Sequence, residues 1–333
     1  MMPVAMVGRA ADLTELVAAW GRTPGGTARS AVITGAAGVG KSLLAASALE
    51  AFHPRPAVVL SGRARVHTPA PYDWLAAVLT GREGADLPVP ADALAWLAQH
   101  PDAPRERYPP GALLRLAVRV VQALVGPGPA VLLVEDLHAL DPASLNLVGE
   151  LAGTDLPVLL LVTSRPADTA VAPELVARTL ARLSGAPGAV RQHLGPLRVE
   201  EVGEVLGQVC PAPVPPEVAH AVWERTGGNP YWLTELLAAA DGHDPAALAD
   251  APLPEHVHLS GRPAPGDVEL TAREIEVLGC LAAGMSNKQV ARRLDISIRT
   301  VTVHVSNLLR KTRSASRTEA ALWAVRHRRL PGN

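Results

Sequence analysis

The sequence predicts an α/β fold, a doubly wound and mostly parallel sheet closed by a helical lid, with a small all-α unit following it. Three observations carry that expectation. A glycine-rich turn, GAAGVGKS at Gly35–Ser42, joins the apolar run Ala31–Thr34 to a helical pattern from Lys41 to Ala51. Two further runs, Val131–Val134 and Val158–Val162, are too apolar for anything but strands buried on both faces. From Asp267 onward the chain changes to short helical patterns with a surplus of arginine.

Gly35–Ser42 has the spacing GxxxxGK[ST] of a phosphate-binding loop. Gly35, Gly38 and Gly40 allow a tight turn that brings backbone N–H groups onto phosphate oxygens. The helix that follows points its partly positive N-terminus at the same anion. Lys41 is expected to reach the β and γ phosphates, and the Ser42 hydroxyl to ligate Mg²⁺. The run Val131–Val134 ends at Glu135 and Asp136. Acids at the carboxyl end of a parallel strand beside such a loop suit a Mg²⁺ ligand and a group that orients an attacking water. Strand alternation sends the two side chains to opposite faces, which leaves open the one that faces the metal. Thr163, Ser164 and Arg165 close the next strand in the equivalent place, where the Arg165 guanidinium can form paired hydrogen bonds to a γ-phosphate. His138 and Asp141 read as turn and helix-cap residues rather than as a catalytic pair.

Ahead of the loop, Val7, Gly8 and Arg9 precede a helical pattern over Leu13–Trp20. After it come a strand near Ala57–Leu60 and helical patterns near Trp74–Leu79, Ala91–Leu97 and Leu113–Leu124. A last short strand is expected near Val190–Leu194. From Val199 to Ala240 the pattern is helical only, broken at Pro215 and Pro216 and again at Gly227–Pro230, as in a small helical subdomain lying over a nucleotide. Asp241–Gly266 is rich in Pro, Ala, Gly and Asp without periodicity and reads as a linker. The expected divisions are therefore 1–195 for the α/β domain, 196–240 for the lid, 241–266 for the linker and 267–333 for the tail.

The tail shows three capping-box spacings, Thr271 with Glu274, Ser286 with Gln289 and Ser316 with Glu319, and Gly284 sits where a helix ends. In the helix that Ser297 opens, Val301, Val305 and Leu308 make a buried stripe. The opposite face carries Arg299, Thr302, Val303, Ser306, Arg310 and Arg313, with Thr300 beside them and no acid. Small, hydroxylated and basic side chains on one exposed stripe are what a helix needs to enter the major groove. Lys288, Arg292 and Lys311 are placed to hold phosphates.

At 333 residues the length suits two domains, and 48% hydrophobic residues can fill real cores. Net charge is −1, yet residues 267–333 hold 12 Lys and Arg against six Asp and Glu, a net of +6 that leaves −7 on the rest. The sign asymmetry points to an anionic partner for the tail. Insertion of the basic helix into a membrane surface is disfavoured, because its other face lacks large aromatic residues. Cys210 and Cys280 match no disulfide framework or zinc spacing. No leader pattern or run of about 18 apolar residues occurs, so the expectation is a soluble, cytoplasmic protein in a reducing compartment.

The first 240 residues resemble the STAND class of P-loop NTPases, signal-transduction relatives of AAA ATPases. The resemblance rests on VGR at Val7–Arg9, the phosphate loop, VEDLHALD at Val134–Asp141, TSR at Thr163–Arg165 and TGGNP at Thr226–Pro230. It implies that Val7, Gly8, Arg9, Asn229 and Pro230 lie near the adenine, so that the lid senses ADP against ATP. Glu135 is a departure, since the class usually has aspartate there; slow ATP hydrolysis is left open. The tail resembles the LuxR-type (NarL/FixJ-like) helix-turn-helix domain through LTAREIEVL, GMSNKQVA and TVTVHVSNLLRK. That resemblance implies that Thr302, Val303 and Ser306 face bases, that Lys288 and Lys311 face the backbone, and that the last helix supports dimerisation. Together they imply an ATP- and Mg²⁺-binding transcription regulator that self-associates on ATP and meets promoter DNA and RNA polymerase. Large regulators of this kind place a helical-repeat sensor where this chain has a linker of about 26 residues, too short for one repeat. Two rival functions stay open: a constitutive DNA-binding protein with a non-hydrolysing ATPase-like scaffold, and an ATP-driven enzyme whose tail only docks.

Overall fold

The computed structural model describes residues 6–23, 27–63, 70–82, 87–100, 103, 108–170, 172–210, 212–239, 248, 272–282, 285, 287–294, 301, 305 and 308. The chain divides into two compact units, 1–254 and 255–333, at a point inside the Pro- and Ala-rich stretch 241–266.

The first unit opens with α1 (Ala10–Gly21), β1 (Arg29–Gly35), α2 (Lys41–Ala51) and β2 (Val58–Arg63). Three helices follow, α3 (Asp73–Leu79), α4 (Ala91–Leu97) and α5 (Pro110–Val125). Then β3 (Ala130–Glu135), α6 (Pro142–Leu151), β4 (Val158–Ser164), α7 (Pro173–Gly185) and β5 (Val190–Leu194) complete a sheet of order β2-β3-β4-β1-β5. Every pairing is parallel, with Val32 opposite Val162 and Leu132 opposite Leu160. Parallel strands are buried on both faces, and the alternation of side chains divides the core in two. Val32, Leu132, Val134, Leu160 and Val162 face one layer, which also takes in Leu113, Ala117, Val120 and Val121 of α5. Ala31, Ile33, Val131, Leu133, Leu159 and Leu161 face the other, with α1 and α2, where Trp20 stacks on Phe52 at 5.1 Å.

The expected strand near Ala57–Leu60 runs on to Arg63, because Ser61 and Gly62 keep pairing with Leu133 and Val134. Gly62 is there for room: a Cβ on it would lie 2.6 Å from the Trp74 ring and the Trp74 carbonyl. Trp74 in turn donates its indole N–H to the Leu133 carbonyl at 3.0 Å. Sequence hydropathy stops at Leu60; packing does not.

One carboxylate ties α3 to α6. Asp141 caps α6 by accepting the N–H groups of Ala143 (2.9 Å) and Ser144 (3.0 Å). The same group accepts the N–H groups of Tyr72 and Asp73, both at 3.1 Å, and the Ser144 hydroxyl at 2.5 Å. Tyr72, held in a left-handed conformation (φ 63°), thus starts α3 under the control of a residue 69 positions away. Burial, then the nearby Asp141 charge, pushes the Tyr72 phenol up to about 12. An unfolded tyrosine ionises near pH 10. The contribution of Tyr72 to stability is therefore whole below that pH and is lost as pH rises towards 12. A spectrophotometric titration is expected to show one late phenolate step that disappears in Tyr72→Phe; an unchanged curve in that variant would refute the assignment.

A helical lid, α8 (Val199–Val209), α9 (Pro216–Thr226) and α10 (Pro230–Ala239), closes the first unit around Leu197, Val202, Leu206, Val222, Leu233 and Leu236. In the second unit α11 (Ala272–Ala282) and α12 (Asn287–Leu294) pack through Val277, Leu278, Leu281 and Val290. Val301 and Leu308, two of the three positions of the expected stripe, are buried in that cluster, with Val305 partly buried against it. Among the described residues no helix is long and apolar enough to cross a membrane.

Candidate nucleotide site

β1 lies between β4 and the edge strand β5, so its carboxyl end opens between two parallel neighbours, at the end of the sheet where α/β folds bind ligands. The turn leaving it is left-handed at Gly38 (φ 78°) and Gly40 (φ 96°). A Cβ on Gly40 would meet nothing within 4 Å, so glycine is needed there for its backbone alone; Gly40 is the N-cap of α2 and brings no side-chain acceptor to the first turn. The first N–H groups of an eleven-residue helix therefore face the loop as donors for an anion.

Lys41, the first residue of α2, is 8% exposed and curls back so that Nζ donates to the Gly35 carbonyl (3.0 Å) and the Ala36 carbonyl (2.7 Å). Its pKa is lowered, first by burial and then by the Arg165 charge, against the opposing pull of Asp136. Lys41, Asp136 and Arg165 are thus electrostatic neighbours, although they come from three separate strand ends. Asp136 is the acid whose charge acts on Lys41; Glu135 is the last residue of β3 and is half-buried. Asp136 has left-handed backbone (φ 52°), and its N–H donates to the buried Thr163 hydroxyl at 3.2 Å. Ser42 is exposed on the first turn of α2.

His138 sits in the turn after Asp136 and is 7% exposed. Its Nδ1 accepts the backbone N–H of Arg165 at 3.2 Å, which assigns the proton of the neutral ring to Nε2. Burial lowers its pKa; the charge of Asp136 opposes that shift, and those of Arg165 and Lys41 add to it.

The lid reaches the loop directly. The Asn229 amide donates to the Ala37 carbonyl at 2.9 Å, and its oxygen accepts the Tyr231 N–H at 3.0 Å. That N–H also lies 3.2 Å from the Gly38 carbonyl. Pro230 is the first residue of α10. Gly228 accepts the Leu197 N–H at 2.7 Å, and Trp223 donates to the Leu197 carbonyl at 2.9 Å, which anchors the lid to the segment after β5. At the opposite entrance the Arg9 guanidinium donates to the Gly195 carbonyl, Val7 packs on the lid cluster, and Gly8 (φ 72°) passes so close to Glu201 that a Cβ would meet its carboxyl at 2.5 Å. Val7 and Gly8 therefore touch the lid from the segment before α1, while Asn229 joins the lid to the loop.

The donor set fits a nucleoside triphosphate: helix N–H groups and Lys41 for phosphates, Ser42 and Asp136 for Mg²⁺. Among the described residues no group of three or more His, Cys, Asp or Glu could hold a metal by itself. Mg²⁺ commonly keeps waters and takes one or two protein ligands plus phosphate oxygens.

In the second unit the backbone of α12 includes Lys288, and Arg292 and Arg293 are exposed on it. Arg299, Thr300, Thr302, Val303, Ser306, Arg310 and Lys311 lie outside the described residues. Sequence alone does not single out two contributors to the nucleotide site for what they do here: His138, which reads as a turn residue, and Thr163, which reads only as part of a strand end. The one available signal for His138 is its place two residues after Asp136, a lone polar side chain between Leu137 and Ala139.

Residues 5–162 match the family described as AAA ATPase domain, and residues 268–324 match the bacterial regulatory proteins of the luxR family. The chain is 48% identical over 60 residues to the nitrate/nitrite response regulator protein NarL of Escherichia coli strain K12, covering 18% of this chain and 28% of that one. It is 54% identical over 59 residues to the uncharacterized transcriptional regulatory protein YhcZ of Bacillus subtilis strain 168, again covering 18% of this chain and 28% of that one. The chain thus spans only about 28% of the length of these curated relatives. Among solved structures, a Walker-type ATPase of Pyrococcus abyssi overlaps 92% of this chain and 89% of its own, with TM-score 0.48 and 14% identity. A STAND protein with a tetratricopeptide repeat sensor from Pyrococcus horikoshii overlaps 95% and 41%, with TM-score 0.41 and 16% identity.

Proposed function

We propose that the chain, whose residues 5–162 match the AAA ATPase domain and whose residues 268–324 match the luxR-family regulatory proteins, is an ATP-binding, sequence-specific transcriptional regulator whose nucleotide state controls self-association and promoter binding. The observation that supports this most is the position of Asn229. The lid residue that would respond to a nucleotide holds the Ala37 carbonyl of the very loop that would cradle the phosphates.

In this reading the N–H groups of the loop and Lys41 hold the β and γ phosphates, and Ser42 and Asp136 hold Mg²⁺, which supplies charge neutralisation between the phosphates. Arg165 reads the γ-phosphate and so separates ATP from ADP. Glu135 and Asp136 are the candidates for orienting water in slow hydrolysis. Val7, Gly8, Arg9 and Pro230 border the adenine side. The lid closes, copies of the chain associate, and paired tails engage two half-sites of promoter DNA alongside RNA polymerase. Thr302, Val303 and Ser306 read bases while Lys288, Arg299, Thr300, Arg310 and Lys311 hold the backbone. Linking two readers raises affinity through effective concentration, with no change in the reading helix itself.

The test is the affinity of the full chain for its promoter duplex without nucleotide, with ADP and with ATP, at one fixed salt concentration. Tighter binding with ATP, by about tenfold or more, is expected from a coupling of about 1 to 3 kcal/mol. Equal affinities in all three conditions would overturn the switch and favour the constitutive DNA-binding alternative.

A further inference from the structure

The ends of β3 and β4 are stitched together twice beside the phosphate loop. The Asp136 N–H donates to the Thr163 hydroxyl, and the Arg165 N–H donates to His138 Nδ1, each at 3.2 Å. Between them, these two bonds join the residue proposed to hold Mg²⁺ to the one proposed to read the γ-phosphate. The His138 ring is buried at its 7% exposure while the Arg165 side chain is exposed. A buried ring of fixed tautomer, accepting one main-chain N–H, sets the backbone from which the guanidinium departs. Without the ring, that N–H is left to water or to a new path of the Arg165 backbone.

We propose that His138 is a positioning residue that presents Arg165 to the terminal phosphate, acting through the Arg165 main chain and without touching the nucleotide itself. The inference rests on the reading of Arg165 in the proposed function. Its signature is selective: losing His138 costs the preference for ATP over ADP and spares the affinity for ADP, which Arg165 does not hold.

The experiment is a calorimetric titration of the full chain with Mg-ATP and Mg-ADP. Variants are His138→Leu, His138→Asn, His138→Gln, Arg165→Ala and the double variant His138→Leu with Arg165→Ala. Asparagine places an amide oxygen close to the position of Nδ1, whereas glutamine places it near Nε2. His138→Leu is expected to lower the ATP-to-ADP preference about tenfold, the size of one charge-assisted hydrogen bond misplaced. His138→Asn is expected to restore most of it and His138→Gln little. The double variant is expected to lose no more than Arg165→Ala alone, because a residue that works through another adds nothing once that other is gone.

Equal weakening of ATP and ADP in His138→Leu, or losses that add in the double variant, overturns the positioning role. So does a wild-type chain that binds both nucleotides equally well, or a His138→Asn chain no better than His138→Gln. If His138→Leu fails to fold, the His138→Asn and His138→Gln pair alone decides. A wild-type chain that binds neither nucleotide overturns the proposed function itself, which is a different result from one that prefers ATP and keeps the preference in every His138 variant.

Discussion

Lys41→Ala is expected to lower the affinity of the chain for Mg-ATP by about a hundredfold and to leave DNA binding indifferent to nucleotide. A hydrogen bond to a charged group contributes about 1.5 to 3 kcal/mol, and the third Nζ hydrogen of Lys41, with its charge, is free to meet a phosphate oxygen. The lysine is already oriented: its Nζ bonds to Gly35 and Ala36 hold the side chain over the loop, so little rotamer freedom remains to be lost when a phosphate arrives. The fold itself is expected to survive, since alanine is a good residue for the first turn of α2 and the change removes a buried charge. Calorimetric titration and a thermal melt of the same sample check both halves. An ATP affinity within about threefold of wild type would remove Lys41 from the site and with it the phosphate-loop assignment.

Asp141→Ala is expected to destabilise the first unit by about 3 to 5 kcal/mol, enough to lower its melting temperature by about 10 °C. Five donors lose their acceptor in that variant: the N–H groups of Tyr72, Asp73, Ala143 and Ser144, and the Ser144 hydroxyl. Loss of a cap alone costs about 0.5 to 2 kcal/mol. The further loss comes from buried N–H groups at the start of α3, among them that of the left-handed Tyr72, left without their acceptor. Asp141→Asn separates the two roles. Its amide oxygen can still cap α6, but its NH₂ meets donors where Asp141 offered its second oxygen to Asp73 and Ser144. That variant is expected to fall between wild type and alanine in a denaturant melt. A melt of Asp141→Ala within about 1 kcal/mol of wild type would show that the brace contributes little.

Much of the sheet is legible directly because β3 and β4 are apolar on both faces, a composition that suits only a covered parallel strand. The phosphate loop is equally plain, its glycines and Lys41 being local in sequence as well as in space. β2 reads three residues short because Ser61 and Gly62 carry no hydrophobic signal; pairing with Val134 makes Gly62 part of the strand, and the space that Trp74 needs makes it glycine. Strand alternation alone leaves the choice between Glu135 and Asp136 open, and nothing in the sequence shows that the charge of Asp136 acts on Lys41. The second role of Asp141 reaches back 69 positions, and the Asn229 contact spans 192. Pairings at such separations leave no periodicity and no spacing in the chain, and they depend on the sheet first bringing its strand ends together.

The grip of the lid on the loop has a bearing on how a signal could enter. The peptide unit linking Ala37 to Gly38 offers its oxygen to Asn229, and in the proposed function its hydrogen is one of those that meet the phosphates. Each bond draws charge through the amide in the same direction, so filling one end strengthens the other. Such polarisation is indifferent to which end is loaded first. A protein or small molecule that prised α10 away would weaken the hold on phosphate by the same factor that phosphate tightens the hold on α10. The regulator could then be read backwards, with its ejected nucleotide reporting what had touched the lid.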